Sequence, residues 1–143
     1  MEINENILDK LKYEVNKSYS LGEIPVGAVI FDQEGNIVGS GHNTRQFEHN
    51  VLGHAEINSI LDAEKNVKDW RLNGYYMVVS LKPCNMCSLI IDESRLDKVF
   101  YFLDQNNLEN NKQNNYIKLD SNRYLNEYSF FKDLLTSFFN NMR

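Results

Sequence analysis

The sequence predicts an α/β fold in which helices cover both faces of one mixed sheet. Two patterns carry that prediction. A hairpin of β-branched and apolar residues follows a first amphipathic helix, and two later strand segments are joined through a helix, as in a strand–helix–strand unit. Composition agrees: 42% hydrophobic and 24% charged residues over 143 positions suit one soluble domain, residues 1–143, large enough to bury a core.

Ile3, Ile7, Leu8, Leu11, Val15 and Tyr19 recur at spacings of three and four, which predicts a helix over about 4–19. Leu21-Gly22-Glu23 ends it and Pro25 forbids its continuation. Residues 26–31 form an apolar strand, 33–36 a turn, and 37–40 the returning strand of the hairpin. The polar stretch 41–53 reads as a loop. A helix over about 54–64 should bury Ile57, Ile60 and Leu61. Residues 75–81 are rich in β-formers and predict a central, buried strand. Pro83 suits the first turn of a helix running to about residue 94, and 99–102 is a fourth strand, parallel to its predecessor because a helix intervenes. The tract 105–115 is polar and low in complexity. From about 121 to 140, Tyr124, Tyr128, Phe131, Leu135 and Phe138 make a helical stripe that should dock on the sheet.

The chemistry is concentrated in His54-Ala55-Glu56, answered thirty residues later by Pro83-Cys84-Asn85-Met86-Cys87. One imidazole and two thiols are three soft ligands for zinc, and three ligands leave the fourth tetrahedral position open, as in catalytic sites. Glu56 is not needed as a ligand and can hold a water and carry its protons. Cys84 and Cys87, three apart, share one face at a helix start, where the dipole favours thiolate. A C-x-x-C alone is often structural zinc or a redox pair; the H-x-E, the preceding proline and the strand–helix context argue against both. H-x-E followed by P-C-x-x-C is the established signature of the zinc deaminases, so the motif is matched here and not discovered.

With 15 Lys+Arg against 20 Asp+Glu, the net charge of −5 gives no global attraction for nucleic acid. Any RNA grip must be local, and Arg45, Arg71, Lys82 and Arg95 are the candidates. No apolar run approaches a membrane span and no signal-peptide core is present, so a cytoplasmic protein is expected.

Further segments extend the match: Glu23-Ile24-Pro25-Val26-Gly27-Ala28-Val29, Gly41-x-Asn43-x-Arg45, Trp70-Arg71-Leu72, Ser80-Leu81-Lys82 before the cysteines, Ser94-Arg95, and Leu134-Leu135-Thr136-Ser137-Phe138-Phe139. In order and spacing the chain resembles the bacterial tRNA-specific adenosine deaminases. The resemblance implies a cytidine-deaminase-like three-layer α/β/α fold with one mixed central sheet, one Zn2+ per subunit and a homodimer. It implies as substrate a tRNA anticodon stem-loop, in which the wobble adenosine of an arginine isoacceptor becomes inosine. By motif, His54, Cys84 and Cys87 would be the ligands and Glu56 the proton shuttle. Asn43 would contact the flipped base or its ribose, Gly27 and Ala28 would line the pocket, and Ala55 would pack near the base. Asp104 and Phe139 are further substrate contacts. Lys82 replaces a common Glu, Asn50-Val51-Leu52-Gly53 stands where a proline is usual two or three residues before His54-Ala55-Glu56, and the C-terminal basic cluster is reduced to Arg143. These departures concern RNA grip and not zinc chemistry. The alternative is a deaminase of a free base or nucleoside, guanine or cytosine, which the acidic charge would suit.

Overall fold

The computed structural model describes residues 3–105 and 115–142. Its first helix, α1 (Glu5–Ser20), starts where the Asn4 side chain accepts the Ile7 N–H at 2.9 Å. The elements that follow are β1 (Gly27–Phe31), β2 (Ile37–His42), α2 (Ala55–Val67), β3 (Tyr76–Leu81), α3 (Asn85–Ser94), β4 (Lys98–Leu103), β5 (Tyr116–Lys118) and α4 (Leu125–Asn141). The sheet order is β2-β1-β3-β4-β5, with β1 antiparallel to both neighbours and β3, β4 and β5 mutually parallel. β3 is therefore central and the sheet is mixed, as expected.

The two-residue period of the strands sorts their side chains into two cores. Val29 and Phe31 of β1, Val78 of β3, and Phe100 and Phe102 of β4 face α1 and α4, where they meet Ile7, Leu11, Val15 and Phe131. Ala28 and Ile30, Met77 and Val79, and Val99 and Tyr101 point the other way, against Ala55, Ile60 and Ala63 of α2 and Ile91 of α3. Three layers result, α1 and α4 on one side and α2 and α3 on the other.

α2 docks through small residues. Ala55, Ser59 and Ala63 have no exposed surface, and they lie at four-residue intervals facing β2. A Cβ at Gly39 would stand 2.6 Å from the Ala63 nitrogen, and one at Gly41 2.6 Å from that of Ser59, so the helix rides directly on the strand backbone. This corrects the expected stripe: Ile57 and Ile60 are buried, but Leu61, one position further round the helix, is 59% exposed. Leu89 of α3 is likewise exposed. Other differences are at the ends. Pro83 lies outside α3, whose N-cap is Cys84; β2 runs on to His42, and α4 begins at Leu125, after a turn. β5 was not expected at all, since three residues are too few for a period to register. Most of the low-complexity tract, 106–114, lies outside the described residues. Among those described, no helix is long and apolar enough to cross a membrane.

Candidate active site

The antiparallel register places the start of β1 and the end of β2 beside the end of β3, with Ala28 opposite Val79 and Gly27 opposite His42. The end of β4 is tied to the same edge, Lys82 N–H donating to the Leu103 carbonyl at 2.8 Å. Strand ends that converge in this way in an open α/β sheet are where ligands bind. Both motifs sit at this edge, at the N-termini of α2 and α3.

His54 and Cys84 are the N-caps of these helices, both extended, and neither makes a side-chain capping bond. Their side chains are thereby left for other work. The first turns form through main-chain bonds, Asn58 N–H to His54 at 2.9 Å and Ser88 N–H to Cys84 at 2.9 Å. Cys87, in the first turn of α3, is fully buried. Nδ1 of His54 lies 4.0 Å from the Cys84 sulfur, and one ligand atom each from His54, Cys84 and Cys87 falls within a 4.8 Å span. One nitrogen and two sulfurs at this separation are a donor set for zinc, with a vertex left open.

The electrostatics of the group fit a cation. A hydrogen bond from Cys87, together with His54, pulls the Cys84 thiol down to about 4; Cys84 in turn holds the Cys87 proton in place and pushes that thiol up. The direction favours thiolate at Cys84, where the start of α3 adds the positive end of a helix dipole. His54 is raised, chiefly by its bond to Cys84. Glu56, also in a first turn, is 4% exposed, and burial pushes its carboxyl up to about 7, reinforced by the Cys84 charge. A carboxyl poised near neutral pH beside a metal donor set suits proton transfer in both directions.

His54, Glu56 and Cys84 face a cavity of about 480 Å³, lined also by Ile24, Val26, Asn43, Leu81, Asp104, Gln105, Leu135 and Phe139; Cys87, fully buried, is not in its lining. Asn43, Asp104 and Phe139, all expected from the sequence, line the cavity together with His54, Cys84 and Glu56. Asn43 is also structural: its Oδ1 accepts the Ala55 N–H at 2.8 Å and its Nδ2 donates to the Ile24 carbonyl at 3.0 Å, which leaves one amide hydrogen for a substrate. Asp104 pairs with Lys118 at 2.5 Å. Gly27, Ala28 and Ala55 are buried and do not line the cavity. Gly27 faces Glu14 and Val15 of α1, while Ala28 and Ala55 pack together in the α2-side core. Gln105, whose side chain donates to the Lys82 carbonyl at 2.9 Å, is a lining residue that no sequence pattern marks.

A second cavity of about 180 Å³ adjoins the first, sharing Ile24, Asn43, His54 and Phe139 and adding Glu23, Arg45, Gln46 and Phe138. Of the four cations named from the sequence, Arg45 alone lines either cavity. Arg71 and Arg95 lie over Trp70, at 5.5 and 5.6 Å, and Lys82 lies over Tyr101 at 5.5 Å.

Comparison with known proteins places this geometry. A tRNA-specific adenosine deaminase of Haemophilus influenzae is 35% identical over 100 residues, 70% of this chain and 58% of that protein, so the chain matches little more than half the length of such curated relatives. A solved structure from work on tRNA:A34 deaminases, which edit A to I at the wobble position, superposes with a TM-score of 0.73 at 22% identity, covering 80% of this chain and 97% of that one. A guanine deaminase from Bacillus subtilis superposes with a TM-score of 0.64 at 29% identity, covering 73% and 66%. The family model for the cytidine and deoxycytidylate deaminase zinc-binding region matches residues 1–103, a span holding both motifs and the whole expected ligand set. The chain belongs to the cytidine and deoxycytidylate deaminase zinc-binding family.

Proposed function

We propose that this protein catalyses hydrolytic deamination of the wobble adenosine of a tRNA, an arginine isoacceptor, to inosine, in the cytoplasm. The observation that carries the reading is the placing of Glu56, buried and shifted to about 7, beside the His54–Cys84–Cys87 group at one end of an open cavity. The relatives named as tRNA-specific adenosine deaminases supply the substrate class.

His54, Cys84 and Cys87 would hold one zinc ion. When bound there, zinc supplies Lewis acidity and makes a water nucleophilic at neutral pH. Glu56, as the carboxylate, takes a proton from the attacking water and delivers it to the ring nitrogen beside C6; it then takes the second proton from the new C6 hydroxyl and gives it to the departing amino group, which leaves as ammonia. Water is consumed and ammonia released, and Glu56 ends as it began. The first-turn position of Glu56 and its 4% exposure keep bulk water from competing for that proton. Asn43, through its remaining amide hydrogen, with Asp104 and Phe139, would contact the extruded nucleoside. A wobble base in an anticodon loop is nearly unstacked beforehand, so its extrusion costs little.

A homodimer is supported by the outer face of α2 and α3. Leu61, Leu89 and Trp70 are exposed there, beside a groove lined by Ile57, Ile60 and Ile90. Exposed apolar side chains grouped beside an apolar groove suit a subunit contact.

A second reading is deamination of a free base. The guanine deaminase neighbour and the net charge of −5 favour it. Zinc-loaded protein assayed on an arginine anticodon stem-loop, with free adenosine, guanine and cytosine in parallel, separates the two. Inosine at the wobble position alone supports the first. Ammonia from a free base, with none from the stem-loop, overturns it in favour of the second.

A further inference from the structure

Residues 44–53 connect β2 to α2, and their main chain closes on itself. Thr44 N–H donates to Gly53 at 2.8 Å, Glu48 N–H to Thr44 at 2.8 Å, Asn50 N–H to Arg45 at 3.0 Å and Gly53 N–H to Asn50 at 3.0 Å. The turn is tight enough to put His49 at φ 52, and a Cβ on Gly53 would stand 2.7 Å from the Arg45 nitrogen. Asn58 ties the loop to α2, its amide donating to the Thr44 hydroxyl at 3.0 Å.

Beneath the loop lies Glu23, a carboxylate that the deamination steps do not use. It is 3% exposed and accepts two main-chain N–H groups, from Gln46 at 3.1 Å and Phe47 at 2.7 Å. The two oxygens of one buried carboxyl group take one donor each. These bonds fix the backbone immediately under Phe47. The next residue, Ile24, gives its carbonyl to Asn43 and to Ser18, so one short segment holds both the loop and the cavity wall.

The side chains so fixed are apolar and point outward: Phe47 is 65% exposed, Val51 67% and Leu52 46%. A loop this well bonded needs no exposed phenyl ring for its own stability. Phe47 follows Arg45 and Gln46, which line the smaller cavity, and that cavity is continuous with the catalytic one through Asn43, His54 and Phe139. A chain whose target base enters the larger cavity must carry its neighbouring nucleotides across this rim.

We propose that residues 44–53 form a preorganised platform on which Phe47 stacks a nucleobase flanking the reacting one, with Glu23 as its positioning residue. The proposal rests on the RNA reading above. A local cation supports the occupant: Arg45, two residues before Phe47, lines the smaller cavity, so a phosphate and a stacked base could be held by the same loop although the net charge of −5 gives no long-range attraction. Base–aromatic stacking supplies a short-range contact with little regard to sequence.

The test uses the zinc-loaded chain and an anticodon stem-loop carrying 2-aminopurine beside the target adenosine. Phe47→Ala should raise KM about tenfold, with kcat within about twofold of wild type, and should abolish quenching of the probe on binding. Phe47→Tyr should restore both. Glu23→Gln, which removes one acceptor, should raise KM in the same direction, and the double variant with Phe47→Ala should be less than additive. Zinc content and melting temperature are followed for every variant, so a loss of fold is recognised as such. Wild-type KM and quenching in Phe47→Ala would overturn the platform while leaving the RNA reading intact. A lower dimer mass for Phe47→Ala in sedimentation, with unchanged probe quenching, would assign the ring to a subunit contact and overturn it as well. Wild-type protein inert on the stem-loop and active on a free base would overturn both readings together.

Discussion

Asn43 is both a cavity residue and a tie between elements, and Asn43→Ala exposes the second role. The substitution removes the acceptor of the Ala55 N–H, one of the donors at the start of α2 that has no partner within the helix. Ala55 has no exposed surface, so water is poorly placed to replace the lost oxygen. Leaving that N–H unpaired costs about 1–2 kcal/mol. The Ile24 carbonyl loses the Asn43 amide but keeps the Ser18 hydroxyl at 2.9 Å, so this second loss is about 0.5 kcal/mol. A total of about 2 kcal/mol, set against an unfolding entropy of about 0.3 kcal/mol/K for 143 residues, lowers Tm by about 7 °C. The assay is thermal unfolding followed by circular dichroism at one fixed zinc concentration, because bound metal itself raises Tm. A Tm within about 1 °C of wild type would show that neither bond matters to stability. Any loss of activity in that variant would then belong to substrate contact alone.

Glu56→Ala should lower turnover by about 10²–10⁴-fold with zinc retained, whereas Cys87→Ala should lose the metal; stoichiometric zinc in the second variant by metal analysis would contradict the ligand assignment. Gly41→Ala should cost about 2 kcal/mol, since its Cβ meets the Ser59 nitrogen at 2.6 Å and the Asn58 Cβ at 2.8 Å, and should lower the urea midpoint by about 1 M. An unchanged midpoint would mean that α2 is free to lift from β2. Burial pushes the Glu14 carboxyl up, but the hydrogen bond and charge of His42, 2.8 Å away, with Ser40 and Lys10, outweigh it and hold the group below its ordinary 4.5. A lowered folded value means that this contribution is present above pH 4.5 and is lost as pH falls through the folded value. Glu14→Gln should therefore flatten the loss of stability between about pH 5 and pH 3, and denaturant curves with the wild-type slope over that range would refute the coupling.

The elements with a period were legible before any coordinates. α1 repeats apolar residues over four turns, and β3 carries the continuous apolar run Met77 to Val79 because both its faces are covered. The zinc group was legible for a different reason. Its chemistry admits few residue types, and helix starts bring them into reach over one turn. Gln105 and Glu23 carried no such mark. A buried glutamate that holds a loop and a surface glutamate are the same letter, and only the main-chain partners 23 and 24 positions away distinguish them.

Leu61 shows the same limit from the other side. Its apolar character and spacing suited a core position, yet the stripe that docks is Ala55, Ser59 and Ala63, because Gly39 and Gly41 of β2 bring the strand backbone too close for larger residues. What sits opposite a helix is a property of the assembled sheet. The sequence by itself determined the family, through the H-x-E and P-C-x-x-C motifs, and the layered α/β architecture, through its periods. The tertiary structure alone decided which residues wall the cavity, that Asn43 is tied to Ala55 and Ile24 as well as lining it, and that a buried carboxylate holds the main chain of an exposed Phe47. Local periods and ligand chemistry are written within a few turns of chain, whereas a cavity is made by strand ends that register distant segments side by side.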